Sequence, residues 1–380
     1  MNKFFKQGIS SLLILTGIVV SLFLLTSCGS TKVKNTPSEK RITASSQTDE
    51  DQYIVRTVGF YNLENLFDTI DDSKTFDEEY TPSGRNAWTS DRYKKKLKNL
   101  ARVIARIGKK ETGIPPAVLG VAEVENRQVL EDLINEDELK SYRYGIVHYD
   151  SPDRRGVDVG LIYMKSVFKP VNSRAVPLKI YKDGERIYTR DVLVVSGFLN
   201  GEKIHILVNH WPSRRGGEAR SRPLRIKAAR LNLQIMDSIY KHEPAAKIII
   251  MGDLNDDPVS PSVKDVLRVE GKKSEVLPGG LYAVMEHYYR AGIGTLAYRD
   301  SWNLFDQIFI SYSLIKGTLG EQKDYSTFKL WKSGIFNSPF LTNRKGAFKG
   351  YPYRTYAGGQ YLGGYSDHFP VYIILIKKKD

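Results

Sequence analysis

Ile248-Ile249-Ile250-Met251-Gly252-Asp253-Leu254-Asn255-Asp256 is the stretch on which the reading of this chain turns. An apolar run meets a glycine, and two polar side chains follow two residues apart. Such a run, bounded by Gly and a polar cluster, predicts a buried strand reaching its C-terminal end. Residues i and i+2 of a strand point to one face, so Asp253 and Asn255 share a side if the extended geometry persists. Open α/β sheets carry their chemistry at the C-terminal ends of strands. There a carboxylate beside a carboxamide can orient a water and stabilise a charged oxygen. Asp and Asn are also favoured in turns. Taken alone, the stretch is a polar strand-to-loop turn first and a site second.

The neighbouring sequence supplies the context. Upstream, Val192–Leu199 and Lys203–Val208 flank Asn200-Gly201, the favoured two-residue hairpin turn. The second of these strands ends in Asn209-His210-Trp211-Pro212. Between it and the opening stretch lie Arg214, Arg215, Arg220, Arg222, Arg225, Lys227 and Arg230 against Glu218, with Leu224, Ala228, Leu231 and Ile235 marking the apolar side of a helix. Downstream, residues 262–269 predict a short helix and Trp302–Ile310 a strand. Residues 314–362, rich in Tyr, Gly and Lys, read as an elaborated loop region. Gly363-Gly364-Tyr365-Ser366-Asp367-His368-Phe369-Pro370 then leads into a last strand, Val371–Ile376.

Nearer the N-terminus, Tyr53–Asn62 is β-rich and ends in Asn62, with Glu64 two residues beyond. Residues 68–91 are acidic and turn-rich and predict a surface loop. Leu97, Leu100, Ile104 and Ile107 recur at helical spacing, and Gly108 and Gly113-Ile114-Pro115-Pro116 close that helix. Ala117–Ala122 is a further buried strand ending in Glu123. Glu125 reads as a helix-entry carboxylate, and Asn126 as the cap of a helix to about residue 137. Gly156–Met164 is another strand. Interleaved strands and helices with hairpin signals among them predict one α/β domain with mixed sheets over residues 53–380.

Composition narrows the chemistry. The 380 residues carry a formal net charge of +14, which favours polyanionic partners: nucleic acid, phosphorylated substrates or anionic lipid headgroups. Cys28 is the one cysteine, so the rest of the chain holds neither a disulfide nor a thiolate zinc site. A metal there must use carboxylates, amides, histidines and water, a donor set suited to Mg²⁺, Mn²⁺ or Ca²⁺.

Residues 1–28 read as a targeting segment. Lys3 and Lys6 precede a largely apolar Leu12–Leu25, and Leu25-Thr26-Ser27-Cys28-Gly29 resembles a bacterial lipobox, whose Cys is lipidated and becomes the mature N-terminus. The apolar run is short for a membrane-spanning helix, which needs about 20 residues. The expectation is a lipoprotein of the bacterial cell envelope, facing the periplasm, anchored through acyl chains on Cys28 with no transmembrane helix in the mature chain. Residues 29–52 read as a disordered tether.

Polar residues thus stand at the ends of six separate strand-like runs: Asn62, Glu123, His210, Asp253 with Asn255, Asp306, and Asp367-His368. The set matches a chemistry. Water attack on a phosphate ester needs charge neutralisation at the phosphoryl oxygens and a positioned nucleophile. A hard divalent cation held by carboxylates and an amide meets the first need. A carboxylate can activate the water, and a histidine held by an acid can protonate or hydrogen-bond the phosphate.

Six ordered motifs carry a family resemblance: Phe60-Tyr61-Asn62-Leu63-Glu64-Asn65, Ala122-Glu123-Val124-Glu125-Asn126, Asn209-His210, Gly252-Asp253-Leu254-Asn255, Asp306-Gln307-Ile308 and Ser366-Asp367-His368. In that order they resemble the endonuclease/exonuclease/phosphatase superfamily, whose fold is that of deoxyribonuclease I. The resemblance implies a four-layer α/β/β/α sandwich of two mixed β-sheets with the site at one end. It implies that Asn62 and Glu123 bind metal with Asp367 at the same site, and it adds Glu64 where some members carry a second acid. It gives Asp253 the attacking water, Asn255 the phosphate or that water, and His368 the catalytic histidine's place with Asp306 as its orienting partner. His210 takes a position where some members contact phosphate. Many members have Gln where this chain has Ala122; the carboxylate beside it is kept.

The function expected is divalent-metal-dependent hydrolysis of phosphodiesters with Mg²⁺ (or Mn²⁺ or Ca²⁺), foremost as an endonuclease on nucleic acid, by a monomer. The alternative is a phosphatase or phosphodiesterase acting on inositol or sugar phosphates or on phospholipid headgroups, in the manner of a sphingomyelinase. For that alternative an apolar exposed loop near the site is the discriminating feature, with Tyr351, Tyr353, Tyr356 and Tyr361 as candidates. Arg154, Arg155, Arg214 and Arg215 read either as phosphate contacts or as a solvated basic face. His148, His205, His242 and His287 match no motif.

Overall fold

Two parallel strand pairs, one at the heart of each of two sheets, frame the molecule. The structure, a computed structural model, describes residues 53–379 apart from 299 and 321. The targeting segment and tether read over residues 1–52 lie outside the described residues. In chain order the elements that build the sheets and cover them are β1 (Tyr53–Leu66), α1 (Ser90–Ile104), β2 (Val118–Val124), α2 (Arg127–Ile134), β3 (Tyr144–His148), β4 (Asp158–Met164), β5 (Phe168–Val176), β6 (Val192–Leu199), β7 (Glu202–His210), α3 (Glu218–Tyr240), β8 (Ile248–Asp253), β9 (Val269–Glu270), β10 (Leu281–Ala283), β11 (Asp306–Ser311), β12 (Lys329–Ile335) and β13 (Val371–Lys378).

The first sheet runs β12-β13-β1-β2-β4-β3 and the second β9-β10-β11-β8-β7-β6-β5. In the first, β1 and β2 are parallel while β13 and β4 flank them antiparallel. In the second, β7 and β8 are parallel, with β6 and β11 antiparallel on either side. A parallel pair needs a crossover connection; α1 lies within one and α3 is the other. Each parallel pair sends two strand C-termini to the same edge. Asn62 and Glu123 therefore share one sheet end, and His210 and Asp253 face each other in register at the end of the other.

Side-chain alternation along β8 shows why four layers result. Ile249 and Met251 pack between the sheets with Val58, Phe60, Val118, Val208 and Ile308. Ile248 and Ile250 point the other way, against Ala228, Ala229, Ile235 and Met236 of α3. On the far side of the first sheet, Leu119 and Val121 meet Leu97, Leu100 and Ile104 of α1 and Leu130 and Leu133 of α2. Three apolar layers separated by two sheets give the α/β/β/α order. Gly120 lets the sheets approach: a Cβ there would sit 2.6 Å from Met251 Sδ. Among the described residues, no helix is long and apolar enough to cross a membrane.

The structure corrects several element readings. Helix α2 ends at Ile134, capped at its start by Asn126, whose side chain accepts from the Val129 N–H. The strand expected over Trp302–Ile310 is broken: Ser301–Asn303 pairs with Leu296–Tyr298 in a separate ribbon, and β11 begins only at Asp306. The region 314–362 is not wholly loop, because Lys329–Ile335 forms the edge strand β12. Its sequence, with two lysines, a serine and a glycine among seven residues, hides the alternation that marks a strand, and its exposed edge position explains why.

Candidate active site

The ends of β1, β2, β7, β8 and β11 and the residues before β13 converge on one buried carboxylate, Asp253. Asn62 donates from Nδ2 to Asp253 Oδ2 at 3.1 Å and accepts the Glu64 N–H on Oδ1 at 2.9 Å. That backbone donor fixes which end of the amide is oxygen, so Asn62 positions Asp253 with one end and its own chain with the other. Asp253 Oδ1 takes the Asn255 N–H at 2.9 Å. Extended geometry does not persist past Asp253, so the condition for a shared side is not met and the stretch makes the turn that Asp and Asn favour. Asn255 has φ of 49° and turns its amide Nδ2 to the Trp211 carbonyl. Asp253 and Asn255 are therefore not two side chains on one strand face.

Around Asp253 the next groups stand at a common spacing. His210 Nε2 lies 3.7 Å from Asp253 Oδ2 and 3.8 Å from Glu123 Oε1. His368 Nε2 lies 3.9 Å from Asp253 Oδ2 and 3.8 Å from Asp367 Oδ1. These separations exceed a hydrogen bond and suit an intervening atom between each pair. His368 Nδ1, by contrast, is locked to Asp306 Oδ2 at 2.7 Å, a carboxylate with no exposed surface. Ser366 ties the same segment down: its hydroxyl donates to the Asn62 carbonyl and accepts the His368 N–H. Sequence reasoning quoted Ser366 within a motif but gave it no task.

The two histidines are driven to opposite charge states. Burial pushes the His210 pKa well below its ordinary value, and the nearby cations Arg190, Arg155 and His368 push the same way. Burial also disfavours the charged form of His368, but Asp306, Asp367 and Asp253 outweigh it, and its pKa stands well above the ordinary value. Asp253 is raised, chiefly by burial; the imidazolium of His368 opposes this, while Asp306 and Glu123 add to it. The site thus holds a neutral imidazole, an imidazolium and a carboxylate short of positive charge.

That shortfall bears on a metal. Glu123 commits Oε2 to the Asn65 N–H at 3.0 Å and turns Oε1 toward His210. Glu123, His210 and Asp253 place ligand atoms within 4.8 Å of one another. Carboxylate oxygens beside a neutral imidazole, with net negative charge buried among them, fit a divalent cation. The other expected ligands lie to one side. Glu64 is held by Lys96 Nζ at 3.5 Å and by the Thr355 N–H at 2.7 Å. Its pKa is raised by burial, against Lys96, with Asp367 adding to the rise. Asp367 faces Arg354 at 3.8 Å. Lys96, which no sequence motif singled out, is 1% exposed.

The backbone at these strand ends is strained. Glu64, Asn65, Glu123 and Asn255 all have φ between 49° and 58°, a region that costs a side-chain-bearing residue on the order of 1–3 kcal/mol.

Much of the basic segment is structural. Arg225, fully buried, pairs with Asp256 Oδ1 at 2.7 Å. Arg214 reaches Asp256, Asp257 and the Asn255 carbonyl, so both arginines clamp the loop after β8. Arg190, which no sequence signal singled out, bonds Asp153 and the carbonyls of His210 and Trp211. Arg215, Arg220, Lys227 and Arg230 are exposed. The tyrosines weighed as a lipid-facing loop are largely pinned: Tyr353 donates to the Leu362 carbonyl, Tyr356 to the Asn86 carbonyl, and Tyr361 packs under Arg92. His205 is held between Ser196 and Glu243, and His148 sits 3.1 Å from Asp158.

The profile of the Endonuclease/Exonuclease/phosphatase family matches residues 57–377. No curated protein matches the sequence. Solved structures similar to this chain include TDP2 of D. rerio complexed with single-strand DNA product, 16% identical over 84% of this chain and 98% of that one, with a TM-score of 0.48. Another is the mannosyl-6-phosphatase of Bacteroides thetaiotaomicron, 17% identical over 84% and 99%, with a TM-score of 0.49. A third is the human Nocturnin catalytic domain with bound sulfate, 14% identical over 86% and 97%, with a TM-score of 0.47.

Proposed function

The chain belongs to the Endonuclease/Exonuclease/phosphatase family, a family of metal-dependent phosphoester hydrolases, and from that premise we propose that it is an endonuclease cleaving phosphodiesters of nucleic acid. The observation that carries the chemistry is the placing of Asp253 between two histidines at 3.7 and 3.9 Å. Asp253 orients and deprotonates the attacking water. His368, charged and held by Asp306, donates to the phosphoryl group as negative charge grows there. His210, neutral, contacts a phosphoryl oxygen through Nε2. A divalent cation, Mg²⁺ foremost, would be held by Glu123 beside Asp253 and would supply further charge neutralisation. The exposed arginines at the start of α3 and the net charge of +14 support a polyanionic substrate.

One panel tests this reading. DNA, RNA, inositol phosphates and sphingomyelin are each incubated with Mg²⁺, Mn²⁺ or Ca²⁺, and with excess EDTA. Nucleic acid is cleaved internally and EDTA abolishes cleavage. Turnover of a lipid or small phosphoester alone overturns the nuclease assignment, and full activity in EDTA overturns the metal.

We also propose that the protein is a lipoprotein of the cell envelope, anchored at Cys28 and facing the periplasm, on the strength of Leu25-Thr26-Ser27-Cys28. Cys28→Ala then abolishes incorporation of labelled palmitate and shifts the protein from the membrane to the soluble fraction. Unchanged labelling sinks the anchor.

A further inference from the structure

Beside the candidate active site, a cleft of about 350 Å³ is lined by Arg85, Arg354 and Tyr356 together with the carboxylates of Glu64, Glu79 and Asp367. Its two guanidinium groups differ from those around the β8 loop. Arg190, Arg214, Arg222 and Arg225 all donate hydrogen bonds to protein acceptors. Among the described residues, Arg354 has no such acceptor: its nearest carboxylate, Asp367, is 3.8 Å away. Arg85 likewise has only Glu79, at 3.7 Å. The Arg354 side chain is nevertheless only 33% exposed, so a largely covered group keeps five donors unused.

The residue is held where it stands. Its carbonyl accepts the Gly364 N–H, and the next N–H, from Thr355, bonds Glu64. A guanidinium on an anchored backbone, two-thirds covered and with unspent donors, opens on a cleft that shares Asp367 with the candidate site and can take a bidentate anion.

We propose that this cleft binds a second phosphate of the substrate, the one flanking the phosphoester that is cleaved, with Arg354 as its principal contact and Arg85 as an outer one. The proposal rests on the phosphodiesterase reading above and narrows its substrate to molecules with a phosphate on each side of the cleaved bond. Nucleic acid supplies such a group in its backbone, and a polyol bisphosphate supplies it on a neighbouring carbon.

The test compares three substrates in the full chain with saturating Mg²⁺: bis(p-nitrophenyl) phosphate, which has no flanking phosphate, a dinucleotide with a terminal phosphate, and an inositol bisphosphate. Arg354→Ala raises KM for a flanked substrate about tenfold more than for the unflanked one, with kcat little changed. Arg354→Lys, which keeps charge but loses the fork, recovers part of the loss. Lys182→Ala, an exposed lysine elsewhere, is the charge-matched control. Binding of labelled dinucleotide, read by anisotropy in an Asp253→Asn background, weakens about tenfold on adding Arg354→Ala, and the salt slope falls by about one. A selective loss on the dinucleotide, the bisphosphate or both supports the site and names its source. Equal KM changes on all three substrates, with unchanged anisotropy, overturn it. A parent chain that hydrolyses none of the three sinks the phosphodiesterase reading instead, and the anisotropy arm still decides the cleft.

Discussion

Asp253→Asn lowers kcat/KM for phosphodiester hydrolysis by about three orders of magnitude, or about 4 kcal/mol of transition-state stabilisation, while the protein stays folded. Asn keeps the shape, but its single amide oxygen can accept from only one of the two donors, Asn62 Nδ2 or the Asn255 N–H, and it cannot take a proton. The same substitution carries a second, independent expectation. Burial raises the Asp253 pKa above its unfolded value. The native state therefore holds a proton that the unfolded state has lost. The stabilisation this group provides is full below the ordinary carboxylate pKa and is lost as pH rises toward neutrality. Removing the charge removes that loss. In metal-free buffer, the stability of Asp253→Asn relative to the parent chain accordingly rises between pH 4 and pH 7. Thermal melts at the two pH values measure this. A variant with parental turnover, or one whose relative stability falls with pH, is incompatible with the role given to Asp253.

Arg225→Met destabilises the fold by about 3–5 kcal/mol, because it leaves the fully buried Asp256 without its closest cation. Ser262 and the half-buried Arg214 remain as partners, which places the expected cost toward the lower end. The double variant Arg225→Met/Asp256→Leu recovers most of the loss, since replacing both members of a buried pair by apolar groups is often close to neutral. Urea unfolding of the three variants decides the matter. A single variant within 1 kcal/mol of the parent chain sinks the claim. The loop clamped by this pair begins at Asn255, so the single variant also lowers activity.

How much of this was legible in the sequence follows from local physics. The alternation in Ile248–Met251 determines a strand with two buried faces, and that requirement demands a covering layer on each side of its sheet. The polar ends of the runs were legible because each breaks an apolar pattern abruptly. Lys96 was not legible, since a lysine at helical spacing reads as solvated and its partner Glu64 is 32 positions away. The roles of Arg190 and Arg225 were hidden for the same reason: a basic run is silent on which members turn inward. Whether Asn255 shares a face with Asp253 was left conditional, because an Asn in the left-handed region looks, in sequence, like an Asn in a strand. The gap between His210 and Asp253 depends on pairing β7 with β8, which neither segment shows alone.

The register of the first sheet also sets a timetable. Tyr53 pairs with Lys378, and β1 lies between β13 and β2. The strand that carries Asn62 thus gains one of its two neighbours only from a segment far along the chain, immediately after Asp367 and His368. Contacts so distant in sequence close slowly. A chain that stops before Val371 leaves β1 without this neighbour, so assembly of the candidate site waits on a pairing between segments far apart in sequence.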